Sequence, residues 1–335
     1  MFCNILVGDC RQVLQTLPAG SVQMCCTSPP YYGLRDYGVA GQIGLEKSPD
    51  DYVAQMVAVF REVKRVLRDD GTLFLNLGDS YAQGGSGGAS SKSTLKNDGR
   101  PVYGARAHEQ RLNECAFTRK PPVGYKPKDL LGIPWLVAFA LRADGWWLRS
   151  EIIWHKPNPM PESVRDRPTS AHEKVFLFAK SERYFYDADA VREPLSAVSL
   201  SQIEYAQRNG ERSERLEKLC PDRNDTNGRL AARGRGARGA AMNPQGANLR
   251  NVWTITPRPY KGAHFAVMPP ELAERCIKAG SKSGDTVLDP FAGAGTTALA
   301  AGNLGRSAIL IELRQEYARM AWERLGMPLF TEAAD

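Results

Sequence analysis

Thr286-Val287-Leu288-Asp289-Pro290-Phe291-Ala292-Gly293-Ala294-Gly295-Thr296-Thr297 reads as one unit of α/β architecture. A short apolar run ends at Asp289, a glycine-rich turn follows, and helix-forming residues begin at Thr297 and run to Leu304. Gly293 and Gly295 let the backbone approach a ligand closely, and the N-terminus of the following helix favours negative charge. The turn lacks the third glycine of the dinucleotide fingerprint, and no Gly-Lys-Ser/Thr of a Walker loop follows. Further on, Ile311-Glu312 closes the next apolar run, where a carboxylate can hold the two hydroxyls of a ribose. A cofactor that carries adenosine without a diphosphate fits these features.

The same strand–turn–helix pattern extends outward in both directions. Asn4 to Val7 reads as a buried strand ending at Gly8-Asp9, with a helical stretch through Leu14 that stops at Pro18. Val22 to Cys26 is a second strand, broken by Ser28-Pro29-Pro30. Ser48-Pro49-Asp50-Asp51 opens a helix with a cap, a proline in the first turn and acids at the positive end of the dipole. That helix is expected to end at Asp70-Gly71, before a strand over Thr72–Leu77. A helix over Asp129–Leu141 follows, then a strand over Trp146–Trp154, with Trp146 and Trp147 both expected in the core. Val175–Phe178 and Tyr184–Tyr186 read as strands around a turn. Near the end come helices over Pro269–Ala279 and Gln315–Leu325, with a strand at Ala308–Ile311 between them. The expected fold class is α/β: a mostly parallel twisted sheet with helices on both faces.

The chain has 335 residues, 42% hydrophobic and 24% charged, so it can bury a substantial core and wholesale disorder is not expected. No apolar run reaches the ~18–20 residues of a membrane span. The start, Met1-Phe2-Cys3-Asn4, lacks a basic-then-apolar leader, which predicts a cytoplasmic protein without a membrane partner. The 7 Cys are irregularly spaced with no Cys-x-x-Cys, which disfavours a metal centre or a disulfide scaffold; buried small hydrophobes are the simpler reading. The net charge of +7 would favour a polyanion if concentrated on one face. Two long segments break the pattern without clear periodicity: 83–128, rich in Gly, Ser, Arg and Lys, and 196–250, whose centre contains Arg229, Arg233, Arg235 and Arg238 and no acid. They are read as functional or structureless insertions.

The second chemical motif is Thr27-Ser28-Pro29-Pro30-Tyr31-Tyr32, directly after a buried strand. Two prolines remove two backbone donors and stiffen the turn. Carbonyls near Ser28 and Pro29 are left as acceptors at the C-terminal edge of the sheet, where open α/β sheets bind ligands. With the Ser28 hydroxyl they suit an exocyclic amine, while Tyr31 offers a face for its ring.

Ser28-Pro29-Pro30-Tyr31 followed by Asp289-Pro290-Phe291-Ala292-Gly293-Ala294-Gly295-Thr296 resembles the amino-methyltransferases of DNA, in the motif order of their permuted β group. The resemblance runs from Asn4 to about Leu325, interrupted at the two insertions. It implies a Rossmann-like, circularly permuted class I methyltransferase fold with an inserted DNA-recognition region. The catalytic half would be 1–190, the target-recognition insertion 191–250 and the cofactor half 251–335. It implies S-adenosylmethionine as methyl donor and double-stranded DNA as substrate, with a flipped base as the methyl acceptor. A cognate restriction endonuclease is an expected companion unless the enzyme is an orphan; the protein itself would be a monomer or homodimer. Ser28, Pro29, Pro30 and Tyr31 would be catalytic. Asp9, His264, Phe265, Asp289, Pro290, Phe291, Gly293, Gly295, Thr296, Thr297 and Glu312 would bind the cofactor. Arg229, Arg233, Arg235 and Arg238 would contact DNA; no metal is implied.

Asp9 has a second reading as a helix cap; His155 is read either as an active-site wall or as a loop histidine packed on Trp154, with the latter favoured. Gly78-Asp79-Ser80 is expected at the same sheet edge, flanking the base. Ser-Pro-Pro resembles the cytosine-N4 subset, whereas Asp-Pro-Pro or Asn-Pro-Pro resembles mostly the adenine-N6 subset. Cytosine N4 is therefore favoured over adenine N6. A methyltransferase acting on RNA, protein or a small molecule, and a non-catalytic nucleic-acid-binding protein, are the rival readings.

Overall fold

The computed structural model describes residues 2–82, 121–219, 243, 245–257 and 268–326. The described residues of 2–185 and 252–326 form one compact unit, and those of 186–251 a second. Among the described residues no helix is long and apolar enough to cross a membrane.

The first unit is built on an eight-stranded sheet. Its strands are β1 (Cys3–Val7), β2 (Val22–Thr27), β3 (Leu67–Leu77), β4 (Trp147–His155), β5 (His172–Ala179), β6 (Val252–Thr254), β7 (Thr286–Asp289) and β8 (Ser307–Glu312), in the order β1-β8-β7-β2-β3-β5-β4-β6. All neighbours are parallel except β5, which runs antiparallel to both β3 and β4. The expected sheet is thus present, and the halves read as 1–190 and 251–335 contribute strands to one surface.

Strand alternation separates two cores. Cys25, Leu73, Leu75, Leu77, Phe176, Phe178, Leu288 and Ile311 point to one face. There they meet α1 (Cys10–Thr16), α2 (Pro49–Val66) and α3 (Ile133–Ala143), which contribute Leu14, Met56, Phe60, Val63, Val137 and Leu141. On α2 the apolar positions recur at helical spacing, and Tyr52, Met56, Val59, Phe60, Val63 and Val66 are all buried. Ser48 caps the helix by accepting from Asp51 N at 3.1 Å. The opposite face is covered by α5, our label for Pro270–Gly280, together with α6 (Thr296–Asn303) and α7 (Gln315–Arg324). Gly280 comes so close to Met24 and Thr72 that an added Cβ would lie 2.9 Å from Thr72 Oγ1. Cys10, Cys25, Cys26 and Cys276 are buried free thiols; burial pushes the Cys10 thiol up to about 12.

Several boundaries differ from expectation. Helix α2 ends at Val66, and Asp70-Gly71 lies inside β3. The register between β2 and β3 shifts from Val22↔Leu67 to Met24↔Thr72, so residues 68–71 form an excursion. The following segment pins it: Lys180 N donates to Gly71 O at 3.0 Å, and Phe185 N to Asp70 O at 2.8 Å. Tyr184–Tyr186 supplies only that Phe185 bond to the excursion and forms no strand. Helix α3 starts at Ile133, not Asp129, because Pro134 sits in its first turn and Leu130 bridges to Tyr81. Trp146 is core, but Trp147, on the other side of β4, is 45% exposed.

The second unit contains α4 (Ala197–Leu219), inside the segment read as a functional or structureless insertion. Its sequence is polar, but rich in Gln, Glu, Arg and Leu, which favour helix without an apolar period. Glu204 and Arg208 pair at i,i+4. Glu193 and Ala247 exchange two backbone bonds of 2.9 Å, and Arg250 pairs with Glu193. Arg229, Arg233, Arg235 and Arg238 lie outside the described residues, as does 83–120 of the 83–128 segment.

Gly295 has φ +73° and an added Cβ would lie 2.9 Å from the Ala321 Cβ. Gly295→Ala is expected to lower the unfolding free energy by ~1–3 kcal/mol. Gly302, inside α6 with open space around it, should respond with the opposite sign, gaining up to ~0.5–1 kcal/mol as alanine. Denaturant unfolding of the two variants checks both signs.

Candidate active site

The strand order reverses between β2 and β7. From β2 the chain moves through α2 to β3 on one side; from β7 it moves through α6 to β8 on the other. Such a switch point leaves a crevice at the carboxyl ends of its two strands. Here those ends carry Ser28-Pro29-Pro30-Tyr31 and Pro290-Phe291-Ala292-Gly293. A cleft at this edge is lined by Ser28, Pro29, Pro30 and Tyr31 from the first corner, and by Pro290, Phe291 and Gly293 from the second. Gly8, Asp9 and Cys10 from the end of β1, and Glu312, Leu313, Arg314 and Tyr317 beyond β8, complete its wall.

Asp289 fastens the two corners together. Its Oδ1 accepts from Thr27 Oγ1 at 2.6 Å and from Phe291 N at 3.0 Å, and its Oδ2 from Thr297 Oγ1 at 2.6 Å. Burial raises its pKa against the pull of these donors. Asp289, Gly295, Thr296 and Thr297 lie behind the cleft wall, whereas Pro290, Phe291 and Gly293 are on it. His264 and Phe265 lie outside the described residues.

Glu312 closes β8, with one oxygen accepting from Gly293 N at 2.8 Å and the other from Arg314 N at 2.9 Å. Burial raises its pKa, offset by those amides. It remains on the cleft wall, where a carboxylate can bind a diol. Asp9 lines the cleft, and it also caps α1 by accepting from Arg11 N at 2.9 Å. The Arg11 side chain grips the same carboxyl and holds it below its usual range.

At the diproline corner the Tyr52 hydroxyl donates to Pro30 O at 2.9 Å. Among the described residues, nothing donates to the Pro29 carbonyl. The Tyr31 ring lies on Gly78, where an added Cβ would come within 2.4 Å of Cε2. Asp79 turns away to accept from Ser80 N at 2.9 Å and Ile133 N at 3.0 Å, so it serves the start of α3. His155 contacts Thr254 Oγ1 at 3.1 Å at the sheet edge, and Trp154 Nε1 donates to Ile255 O.

Two parts of the site were not singled out from sequence. One is the strap 33–44, closed by Gly33 N to Gly44 O at 2.8 Å. It brings Leu34, Tyr37 and Ile43 to the cleft and sets Tyr37 edge-on to Tyr317, with centroids 6.4 Å apart. Glycines at 33, 38, 41 and 44, all with positive φ, are the signal that could have marked a compact loop. The other is a polar cluster behind Tyr31. The Tyr31 hydroxyl donates to Glu173 Oε2 at 2.6 Å, and Asn76 Nδ2 donates to the Tyr31 hydroxyl at 2.9 Å and to Glu173 Oε2 at 3.0 Å. Lys156 binds the other Glu173 oxygen. Desolvation first, then the Glu173 carboxylate, push the Tyr31 phenol well above its ordinary pKa. These partners come from β3, from β5 and from the residue just after β4, distant in sequence from the motif they support.

A reversed sheet with an apolar, aromatic-lined cleft and a buried carboxylate at the end of its next strand defines a class I methyltransferase. The chain belongs to the N6/N4 DNA methylase family, whose model matches residues 22–323. It is 42% identical over 323 residues to the type II methyltransferase M.SmaI of Serratia marcescens, covering 96% of this chain and 90% of that protein. It is 45% identical over 324 residues to M.XycI of Xanthomonas campestris pv. cyanopsidis, covering 96% and 87%. In structure it is similar to the cytosine-N4-specific PvuII DNA methyltransferase, with TM-score 0.60 at 17% identity, covering 100% of this chain and 89% of that one. TTHA0409 of Thermus thermophilus, crystallised with S-adenosyl-L-methionine, gives TM-score 0.55 at 23% identity, covering 97% and 95%. The protein is therefore a DNA methyltransferase that uses S-adenosylmethionine. The cleft carries the groups such a cofactor would need: the Glu312 carboxylate could hold a ribose, and aromatic and aliphatic side chains could flank an adenine.

Glu312→Ala is expected to raise the S-adenosylmethionine Kd about 10- to 100-fold, the loss of ~1.5–3 kcal/mol from hydrogen bonds to a charged group. Asp289→Ala should raise it as well and also lower the unfolding free energy, because Thr27, Thr297 and Phe291 N lose their acceptor. Isothermal titration calorimetry with thermal unfolding separates the two effects; unchanged affinity in both variants would contradict these placements.

Proposed function

We propose that the enzyme methylates the exocyclic N4 amine of cytosine in double-stranded DNA as the modification half of a type II restriction–modification system. The observation that carries this reading is the acceptor pair at the cleft wall, the uncharged Ser28 hydroxyl and the Pro29 carbonyl, beside the Tyr31 ring. Relatives above 40% identity over nearly the whole chain carry type II methyltransferase names, which supports the modification role and a cognate endonuclease as companion.

The amine lone pair of a nucleobase is delocalised into the ring, which makes it a weak nucleophile. Accepting its two hydrogens at Ser28 Oγ and Pro29 O concentrates density on nitrogen and turns the lone pair toward the methyl donor. S-adenosylmethionine supplies a sulfonium methyl group whose departure leaves a neutral thioether. The corner also positions: Pro29 and Pro30 lock the turn, Tyr52 fixes the Pro30 carbonyl, and Gly78 seats the Tyr31 ring. Tyr31 replaces part of the stacking that a flipped base loses, against an unpairing cost of roughly a few kcal/mol. Glu312 and Gly293 hold the ribose side, Pro290 and Phe291 the hydrophobic wall, and Asp289 with Thr297 keeps the two halves in register. Arg229, Arg233, Arg235 and Arg238 supply phosphate contacts from the target-recognition segment.

Nucleoside mass spectrometry of DNA from expressing cells is expected to show N4-methylcytosine, and modification-sensitive sequencing then locates the site. N6-methyladenine in its place would overturn the base assignment. Ser28→Ala is expected to slow turnover about 100-fold while S-adenosylmethionine binding persists; an equal loss of cofactor affinity would place Ser28 on the wrong side of the cleft.

A further inference from the structure

Ser28 alone is a poor destination for a proton, yet methyl transfer leaves the amine nitrogen cationic and one proton in excess. The polar cluster behind Tyr31 offers that proton a route. Glu173 pairs with Lys156 and receives Asn76 Nδ2 at 3.0 Å. A carboxylate only accepts, so the 2.6 Å bond to Tyr31 uses the single proton of the phenol. The 3.3 Å contact between Ser28 Oγ and the Tyr31 oxygen must then run from Ser28 to Tyr31. This commits the Ser28 proton inward; Asn76 Nδ2 donates to Ser28 Oγ at 3.4 Å, and one lone pair is left for the cleft that Ser28 lines. The direction of the two hydroxyl bonds is set by Glu173.

We propose that Glu173 is the terminal proton acceptor of the reaction, reached from the target amine through Ser28 and Tyr31. The inference rests on the reading of Ser28 as the residue that meets the amine. As the new carbon–nitrogen bond forms, the carbon–sulfur pair stays with sulfur and nitrogen becomes positive. Nitrogen gives one proton to Ser28 Oγ, Ser28 gives its own to the Tyr31 oxygen, and Tyr31 gives its own to Glu173 Oε2. The products are a neutral methylated amine, an unchanged serine and tyrosine, and a protonated Glu173 that returns its proton to solvent. The Ser28–Tyr31 contact is the long link, and such links commonly shorten when substrate arrives. Lys156 and Asn76 are positioning residues that hold Glu173 and Tyr31 in this order.

The test compares wild type with Glu173→Gln, Tyr31→Phe and the double variant. Single-turnover methyl transfer is measured on duplex DNA carrying the methylated sequence. Base entry is read separately, without turnover, from the fluorescence of a cytosine analogue at the target position. Among the described residues, the groups bonded to Glu173 are Tyr31, Asn76 and Lys156. Glu173→Gln keeps an acceptor for Tyr31 but cannot take a proton. It is expected to slow transfer about 100-fold or more, with cofactor affinity and base entry near wild type. Tyr31→Phe should slow transfer to a similar degree, and the double variant should be no slower than the slower single one, since all three interrupt one chain.

A Glu173→Gln enzyme with near wild-type rate overturns the proposal. So does a loss of base entry that matches the loss of rate, which would make Glu173 a wall of the base pocket only. Should Glu173→Gln fail to bind cofactor, Tyr31→Phe decides alone, because it leaves Glu173 on Lys156; a near wild-type rate there overturns the relay. If adenine proves to be the methylated base, the base assignment fails while the relay is still judged by these rates, since both amines shed the same proton.

Discussion

A single buried carboxylate makes two distant segments into one site. Asp289 ends β7 and accepts from Thr27, the last residue of β2, 262 positions earlier in the chain. Thr297, at the start of α6, holds its other oxygen. Placing a charged group here carries a desolvation penalty, visible in its raised pKa, and the three donors offset it. The arrangement is demanding in geometry, and that demand is useful. The diproline corner cannot drift relative to the glycine turn without leaving a buried acceptor or donor unmet. Since the methyl acceptor and the methyl donor are assigned to these two corners, the junction fixes the distance over which a methyl group must travel.

The sheet explains why this junction exists. Two strands that are neighbours in space but send their chains in opposite directions leave their ends uncovered, and the cleft-lining residues collect there. Strands β1 and β8 bring Asp9 and Glu312 to the same edge, and strap 33–44 folds over it. The antiparallel β5 brings a residue from the opposite chain direction. Its first residues, near Glu173, lie beside the ends of β3 and β4, so a carboxylate reaches the back of Tyr31 from the middle of the chain.

The motifs legible in the sequence were those made of consecutive residues with special backbone chemistry. Ser28-Pro29-Pro30-Tyr31 and Gly293-Ala294-Gly295 announce themselves because proline and glycine restrict or free the chain in ways few other functions require. Strands and helices were legible where apolar spacing was regular, as on α2. Boundaries failed where tertiary contacts overrode local signals. Asp70-Gly71 looks like a helix stop, but residues 180–185 hold it as a bulged extension of β3. Helix α4 escaped notice because its stability signal is composition and i,i+4 charge pairing, not an apolar stripe. Glu173, Asn76 and Lys156 were invisible for a different reason. Each is an ordinary polar residue at a strand end, and only the pairing of β3, β5 and β4 makes them a cluster.

That cluster changes what a serine at the head of the tetrapeptide means. In isolation a hydroxyl is both donor and acceptor, and it could face an amine or a ring nitrogen with equal ease. Behind Tyr31, the carboxylate of Glu173 takes the phenol proton, the phenol oxygen takes the Ser28 proton, and the ambiguity is removed two residues away from where it matters. Asn76 reinforces the order, since its amide donates to both the phenol and the carboxylate. Where a carboxylate heads such a tetrapeptide, acceptor character is intrinsic to the side chain. Here a neutral side chain acquires it from a charge placed behind an aromatic ring, and that charge stays away from the face the base must enter. The diproline corner therefore stays uncharged and aromatic toward a planar ligand, while its hydroxyl is oriented by an ion pair behind Tyr31.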